Sequence, residues 1–204
     1  MIERVSDAAA RPISRETFAR LQAYVELLKR GAEAHNLIAR TTLESIWERH
    51  IVDSAQLVRF ERRLHSSWVD IGSGGGLPGI VIALLVEGPV HLVEPRRLRA
   101  DFLNHVSETL GLSSRVVVHQ AKVERILGKF DVVTARAVAS LSKTFEISSH
   151  LSTKNTVWAL PKGRSARTEL AEAKQAWQGV FHVEHSVTDP DSYIVVASGV
   201  GKKP

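Results

Sequence analysis

The sequence predicts an α/β protein built on a parallel sheet, because short apolar runs alternate with helical segments from Trp68 onward. Two further observations refine this class. A glycine-rich segment joins the first of these runs to the next helical segment, and the alternation ends in two apolar runs with no helix between them. Runs joined by the short segment 188–192 should pair antiparallel. We therefore predict five parallel strands followed by a C-terminal antiparallel hairpin.

The predicted elements follow one another as βαβ units should. The predicted strands are 67–71, 90–93, 115–119, 130–135, 156–160, 180–187 and 193–198. The predicted helices are 79–86, 98–110, 141–150 and 165–177, with a short helix or turn at 123–127. A terminal hairpin after such units is typical of the class I S-adenosylmethionine-dependent methyltransferase fold, which is Rossmann-like. This is an analogy of fold, and function must come from the site.

Residues 1–65 precede the alternation of apolar runs and helical segments and are predicted to form an N-terminal helical extension packed on the core. Apolar residues at helical spacing follow a possible cap at Ser14, namely Phe18, Leu21, Val25 and Leu28. A break near Asn36 precedes a second amphipathic stretch, which begins at Leu43. Residues 66–204 would form the methyltransferase domain, so that the whole chain is a single compact unit and, we expect, a monomer.

Composition limits the possible functions. The chain has 27 Lys and Arg residues against 22 Asp and Glu, and this net charge of +5 favours an anionic partner such as nucleic acid. It has no cysteine, which excludes disulfides, thiolate metal sites and cysteine nucleophiles. Its histidines show no metal-ligand spacing, so we expect no bound metal. We also expect a cytoplasmic protein with no membrane partner, because no apolar run is long enough to span a membrane and no signal peptide is visible.

The strongest local signal is segment 69–79, Val-Asp-Ile-Gly-Ser-Gly-Gly-Gly-Leu-Pro-Gly, which leads from a predicted strand into a helix. Open α/β sheets bind ligands at this position. Two glycine spacings are present. Gly72, Gly74 and Gly76 have the spacing of methyltransferases, whereas Gly74, Gly76 and Gly79 have the spacing of dinucleotide-binding proteins. Either spacing predicts a nucleoside cofactor.

Acidic residues around this loop bear on which cofactor binds. Asp70 favours S-adenosylmethionine, because a carboxylate there can receive the ammonium group of a methionine moiety, which a nicotinamide dinucleotide lacks. Glu94, at the end of the second strand, can hydrogen-bond the ribose of either cofactor. Val123 and Glu124 follow the third strand and would lie beside the adenine, although Glu124 could equally be a helix-capping charge.

The end of the fourth strand limits the methylation chemistry. It lacks the Asn or Asp followed by Pro-Pro-aromatic that serves methylation of exocyclic amines, and the absence of cysteine excludes C5 methylation of pyrimidines. Methylation of guanine N7 needs neither this motif nor a cysteine, since N7 carries a lone pair and no proton must leave. It requires that the base and the methyl donor be held in the correct relative position. Arg136, just after this strand, could hold guanine O6, a phosphate or the cofactor carboxylate.

Basic residues on the ligand side of the sheet are candidates for binding RNA phosphates. Lys162 and Arg164 follow the fifth strand, and Arg97 and Arg99 follow the second. Such contacts should weaken steeply with salt, although most charge runs are simply solvated.

Six segments together identify a family. They are 36–37 (Asn-Leu), 49–54 (Arg-His-Ile-Val-Asp-Ser), 70–79, 123–124, 136–141 (Arg-Ala-Val-Ala-Ser-Leu) and 162–163 (Lys-Gly). In this combination the chain resembles the bacterial small-subunit ribosomal RNA methyltransferase G family, also called glucose-inhibited division protein B. The resemblance covers nearly the whole chain, and no segment alone is specific.

The resemblance implies methylation of N7 of a specific guanine in 16S rRNA, within the small ribosomal subunit or its assembly intermediate, with S-adenosylmethionine as cofactor. It implies cofactor contacts at Gly72, Leu77, Val123, Glu124 and Arg136, with Glu94 as the ribose-binding acid. Leu98 departs from the family, which commonly has lysine there. The alternatives are a methyltransferase acting on another RNA or a small molecule, a nicotinamide-dependent reductase, and a non-catalytic ribosome-binding module.

Overall fold

Seven strands form a single sheet in the part of the chain that the computed structural model describes, residues 1–35 and 44–204. They are β1 Trp68–Ile71, β2 Val90–Val93, β3 Val116–His119, β4 Val132–Ala135, β5 Val157–Lys162, β6 Trp177–His185 and β7 Tyr193–Lys202. Their order across the sheet is β3-β2-β1-β4-β5-β7-β6. Strands β1 to β5 are parallel, and β7 pairs antiparallel with β5 and β6. The predicted parallel strands and terminal hairpin are confirmed.

Helices pack against both faces of this sheet, which gives two hydrophobic clusters. The α-helices are α1 Ile2–Ala9, α2 Arg15–His35, α3 Gly79–Leu85, α4 Arg97–Thr109, α5 Leu141–Ser148 and α6 Ala166–Ala176. Helices α1 to α4 contribute to one cluster, and α5 and α6 contribute to the other. None of the helices in the described residues is long and apolar enough to cross a membrane.

The N-terminal helices share the core of the α3 face. Helix α1 buries Val5 and Ala8, and α2 buries Leu21 and Tyr24. Helix α1 is absent from the sequence prediction, because so short a helix draws its stability from packing rather than from a long periodic pattern. The predicted break near Asn36 and the start of the second stretch at Leu43 lie outside the described residues.

Two element predictions are wrong in detail. The second N-terminal stretch is not a regular α-helix: a π-helix covers Trp47–Val52, and one α-turn and the 3₁₀-helix Gln56–Phe60 follow it. Trp177 belongs to β6 rather than to the preceding helix. Its indole is buried against Phe145, so tertiary packing ends the helix one residue earlier than the pattern indicates.

Candidate active site

The glycine-rich loop leaves the carboxyl end of β1 and turns back on itself before α3. Gly72 donates its N–H to Val93 O at 2.8 Å, and Gly76 donates to Ser73 O at 2.7 Å. Gly72 has a φ of +67°, and a Cβ atom there would lie 2.6 Å from Val138 Cγ2. Only glycine accepts both this conformation and this close approach without strain. The loop therefore brings its backbone against the segment that follows β4.

Tyr24 of α2 supports the glycine-rich loop from the side of the hydrophobic core. Its hydroxyl donates to Gly75 O at 2.8 Å, and its side chain is fully buried. Burial raises the pKa of Tyr24 well above its usual value, so the hydroxyl keeps its proton and remains a donor. A Cβ atom at Gly76 would lie 2.9 Å from this hydroxyl. Tyr24 is not among the site residues predicted from the sequence, although its place beside Leu21 on the buried stripe of α2 was a usable signal.

Asp70 lies beneath the loop rather than in a cavity, with 1% of its surface exposed. Thr134 Oγ1 donates to its Oδ1 at 2.8 Å, and Gly79 N donates to its Oδ2 at 3.2 Å. Burial raises the pKa of Asp70 to about 6, against the opposing effect of these hydrogen bonds. The expected contact with an ammonium group does not fit this arrangement, because protein groups enclose the carboxylate. Asp70 instead ties β1 to β4 and to the start of α3.

Two cavities border the loop, and a third adjoins them at Ala137. The Glu94 cavity, of about 420 Å³, includes Gly72, Glu94, Arg99, Val123, Glu124 and Ala137 in its wall. The glycine-loop cavity, of about 190 Å³, includes Gly72, Gly74, Leu77, Arg99, Arg136 and Ala137. The Arg136 cavity, of about 490 Å³, includes Asp53, Arg136, Ala137, Lys162, Glu169 and Tyr193. The structure thus gathers most of the predicted cofactor residues at the carboxyl edge of the sheet; Gly76 faces the core instead.

Glu94 is 3% exposed and lines the cavity that carries its name. Gly74 N donates to its Oε2 at 3.0 Å, and Arg96 N donates to its Oε1 at 2.9 Å. A carboxylate has about four lone-pair sites, so each oxygen can still accept a hydroxyl proton. These two backbone donors fix the carboxylate in the cavity wall, where it can bind the hydroxyl groups of a ribose.

Arg136 lies at the junction of the glycine-loop and Arg136 cavities, held by the π-helix. Its Nη1 lies 3.3 Å from Asp53 Oδ2 and 3.4 Å from Arg49 O, and its Nη2 lies 3.3 Å from His50 Nδ1. Burial and then the positive charges of Arg136 and Arg49 lower the pKa of His50 to about 4. His50 is therefore neutral at physiological pH, and its Nδ1 can accept from the guanidinium.

Asp53 joins the π-helix to the turn of the C-terminal hairpin. Its Oδ1 accepts from Gln56 Nε2 at 2.8 Å and from Thr188 Oγ1 at 3.1 Å. Val187 N in turn donates to Gln56 Oε1 at 3.0 Å. The carboxylate is thereby held on one oxygen by the hairpin turn while the other oxygen faces Arg136. Sequence reasoning placed Asp53 within a family segment but gave it no contact.

The four residues expected to bind RNA do not form one patch. Lys162 has 12% of its side chain exposed, and its Nζ donates to Glu169 Oε2 at 2.9 Å. Lys162 also lines the Arg136 cavity, so it belongs to the wall of this cavity rather than to an exposed patch, and its expected phosphate contact stays a prediction. Arg164 and Arg97 are more than four-fifths exposed, and Arg97 Nε lies 3.6 Å from Asp101 Oδ2. Arg99 lines the Glu94 and glycine-loop cavities, which places it on the cofactor side.

Among residues 1–35 and 44–204, no group of three or more histidine, aspartate or glutamate side chains could hold a metal ion. The cavity walls offer glycine backbone, guanidinium groups and a fixed carboxylate, which can bind and orient a ligand.

Solved structures share this fold at low sequence identity. An S-adenosylmethionine-dependent methyltransferase from Aquifex aeolicus gives a TM-score of 0.61 at 14% identity, with 76% of this chain and 93% of that chain covered. A putative enzyme of the same kind from Methanococcus maripaludis gives 0.61 at 14% identity, over 86% and 94%. These similarities show that the protein has the predicted Rossmann-like methyltransferase fold.

Sequence comparison shows the family. The model of the family described as rRNA small subunit methyltransferase G matches residues 17–191. The protein named ribosomal RNA small subunit methyltransferase G from Zymomonas mobilis is 44% identical over 200 residues, covering 94% of this chain and 90% of that protein. The protein of the same name from Sphingopyxis alaskensis is 45% identical over 188 residues, covering 91% and 80%. The chain belongs to the rRNA small subunit methyltransferase G family.

Proposed function

We propose that the protein uses S-adenosylmethionine to methylate N7 of a specific guanine in 16S rRNA of the small ribosomal subunit. Membership of the methyltransferase G family supports this reaction class. The observation that carries the proposal is the position of Arg136, which lines both the glycine-loop cavity and the larger Arg136 cavity. A residue at this junction can orient a target base toward a group held by the loop.

The residues around the loop fit the proposed cofactor. Glu94 offers a fixed carboxylate to ribose hydroxyl groups, and Val123 and Glu124 line the same cavity beside it. A Cβ atom on Gly74 would have its nearest neighbours only at 3.8 Å and 3.9 Å, so the bare backbone leaves an open cradle. When bound, S-adenosylmethionine supplies an activated methyl group. The protein's own part is to bind and orient the cofactor and to keep the target base in line with it.

Attack by guanine N7 suits a site built for positioning. N7 attacks through its lone pair and no proton has to leave, so no general base is required. The guanine edge presents acceptors at O6 and N7. A guanidinium has five N–H donors, and among residues 1–35 and 44–204 Arg136 directs three of them at acceptors on Arg49, His50 and Asp53. Its remaining donors can hold O6 and leave N7 free to react.

The partner and setting follow from this substrate. We propose that the protein acts as a cytoplasmic monomer on the small subunit or its assembly intermediate. The net charge of +5 and the exposed guanidinium groups of Arg97 and Arg164 support an RNA partner. Phosphate contacts of this kind predict that activity on the particle falls steeply as salt is raised.

The test is methyl transfer to small subunits that lack the modification. The chain is incubated with S-adenosylmethionine carrying a deuterated methyl group, and digested rRNA is analysed by mass spectrometry for N7-methylguanosine. We expect one labelled guanosine in 16S rRNA and none with Arg136→Ala, while Arg63→Ala, an exposed arginine beside Asp131 at the opposite edge of the sheet, retains transfer. Label on another atom would refute the N7 assignment. No label on subunits or on assembly intermediates would refute the proposed function.

A further inference from the structure

Arg99 lies where the cofactor cavities join. The Glu94 cavity and the glycine-loop cavity share three lining residues, Gly72, Arg99 and Ala137. Of these three, only Arg99 has a charged side chain. Its Nη1 lies 3.9 Å from the position that a Cβ atom on Gly74 would occupy, so the guanidinium stands over the open glycine cradle. A ligand that extends from one cavity into the other must pass this cation.

The absence of an ion partner among the described residues distinguishes Arg99 from Arg97 and Arg136. Arg97, two residues earlier on α4, lies beside Asp101, and Arg136 lies beside Asp53. Within residues 1–35 and 44–204, the side chain of Arg99 forms no ion pair or hydrogen bond. It is nevertheless partly buried. A partly buried guanidinium without a protein anion is a ready partner for an anionic group of a ligand, which it can bind through two parallel hydrogen bonds.

The proposed cofactor carries one such anion. If the adenosine part of the cofactor occupies the Glu94 cavity, the amino-acid part would reach the glycine-loop cavity, which shares Gly72, Arg99 and Ala137 with it. We propose that Arg99 binds the α-carboxylate of the cofactor, which leaves Arg136 to the target base. This inference rests on the proposed function. It changes the role expected for Arg99 from RNA binding to cofactor binding.

Two ligands isolate this contact in a calorimetric experiment. S-Adenosylhomocysteine and 5′-methylthioadenosine share the adenine, the ribose and the thioether, but only the first has the amino acid. We expect Arg99→Ala to weaken binding of S-adenosylhomocysteine by about 10- to 100-fold, the loss of a charge-assisted pair of hydrogen bonds. Binding of 5′-methylthioadenosine should not change. The matched control Arg97→Ala, on the same turn of α4 but 81% exposed, should alter neither affinity.

The possible results distinguish a failure of the role proposed for Arg99 from a failure of the proposed function. Equal weakening of both ligands would overturn the inference, because Arg99 would then serve the adenosine part or the fold. Unchanged binding of S-adenosylhomocysteine would overturn it as well. If the unsubstituted protein binds neither ligand, the proposed function fails instead. Arg99→Lys, which keeps a charge without the planar fork, should retain part of the selectivity for S-adenosylhomocysteine, and it provides the test if the alanine variant does not fold.

Discussion

Replacing Asp70 with asparagine should remove a pH dependence of stability between pH 4 and pH 6. Burial raises the pKa of this carboxyl group from 3.8 to about 6 in the folded protein. The folded state therefore holds its proton to a higher pH than the unfolded state does. Stability falls as the pH rises through this interval, and the loss is complete above the folded pKa.

The size of this loss follows from the shift. About two pKa units correspond to about 3 kcal/mol of unfolding free energy. Asparagine has almost the same shape and has no charge to desolvate. Its oxygen can accept from Gly79 N, while its amide donates to Thr134 Oγ1, so both present partners of Asp70 are kept. The unfolding free energy of the variant minus that of the natural protein should thus grow by about 3 kcal/mol between pH 4 and pH 7.

Urea unfolding of both proteins at half-unit steps from pH 4 to pH 7.5 measures this gain. Other groups with shifted pKa values, such as His50, titrate in both proteins and cancel in the difference. We expect the difference to rise up to about pH 6 and then to stay constant. Parallel stability curves throughout would show that Asp70 is ionised in the folded protein across the whole range, and would refute the argument from burial.

Three further substitutions test the supports of the site. Tyr24→Phe leaves Gly75 O without its donor, and we expect urea unfolding to show a loss of about 1–2 kcal/mol; unchanged stability would contradict the support. Gly72→Ala places a Cβ atom 2.6 Å from Val138 at a positive φ, so calorimetry should show weaker cofactor binding that Val138→Ala restores only in part; full restoration would exclude backbone strain. Asp53→Asn should lower kcat for methyl transfer about 10- to 100-fold with cofactor affinity unchanged; an equal loss of affinity would place Asp53 on the cofactor side.

The parallel core was predictable because each of its strands is short, apolar and separated from the next by a helical pattern. The hairpin was predictable because no helix fits between β6 and β7. The π-helix at Trp47–Val52 was not, since its hydrogen-bond pattern depends on what packs around it and leaves no periodic signature. The end of α6 at Ala176 was missed for the same reason, because tertiary contacts place the buried indole of Trp177 in β6.

Within the site, residue type and strand position predicted which residues gather, but not what each one faces. Asp70 and Glu94 both lie at the carboxyl edge of the sheet, yet one is enclosed by the fold and the other lines a cavity. Arg97 and Arg99 are two residues apart on α4, and the helix turns them to different surroundings. Such differences depend on the angular position of each side chain, which alternation and spacing do not determine.

The contacts of Asp53 explain why segments outside the parallel core belong to the active site. Among the described residues, the walls of the Glu94 and glycine-loop cavities contain no residue of the π-helix or of the hairpin turn. Arg136, however, takes its orientation from the π-helix, and the carboxylate that faces it is held by the hairpin turn at Thr188. One carboxylate oxygen of Asp53 accepts a hydrogen bond from Thr188 in the hairpin turn, and the other accepts one from the guanidinium of Arg136. We therefore expect a displacement of the turn to change the orientation of Arg136, on the proposed target side of the site.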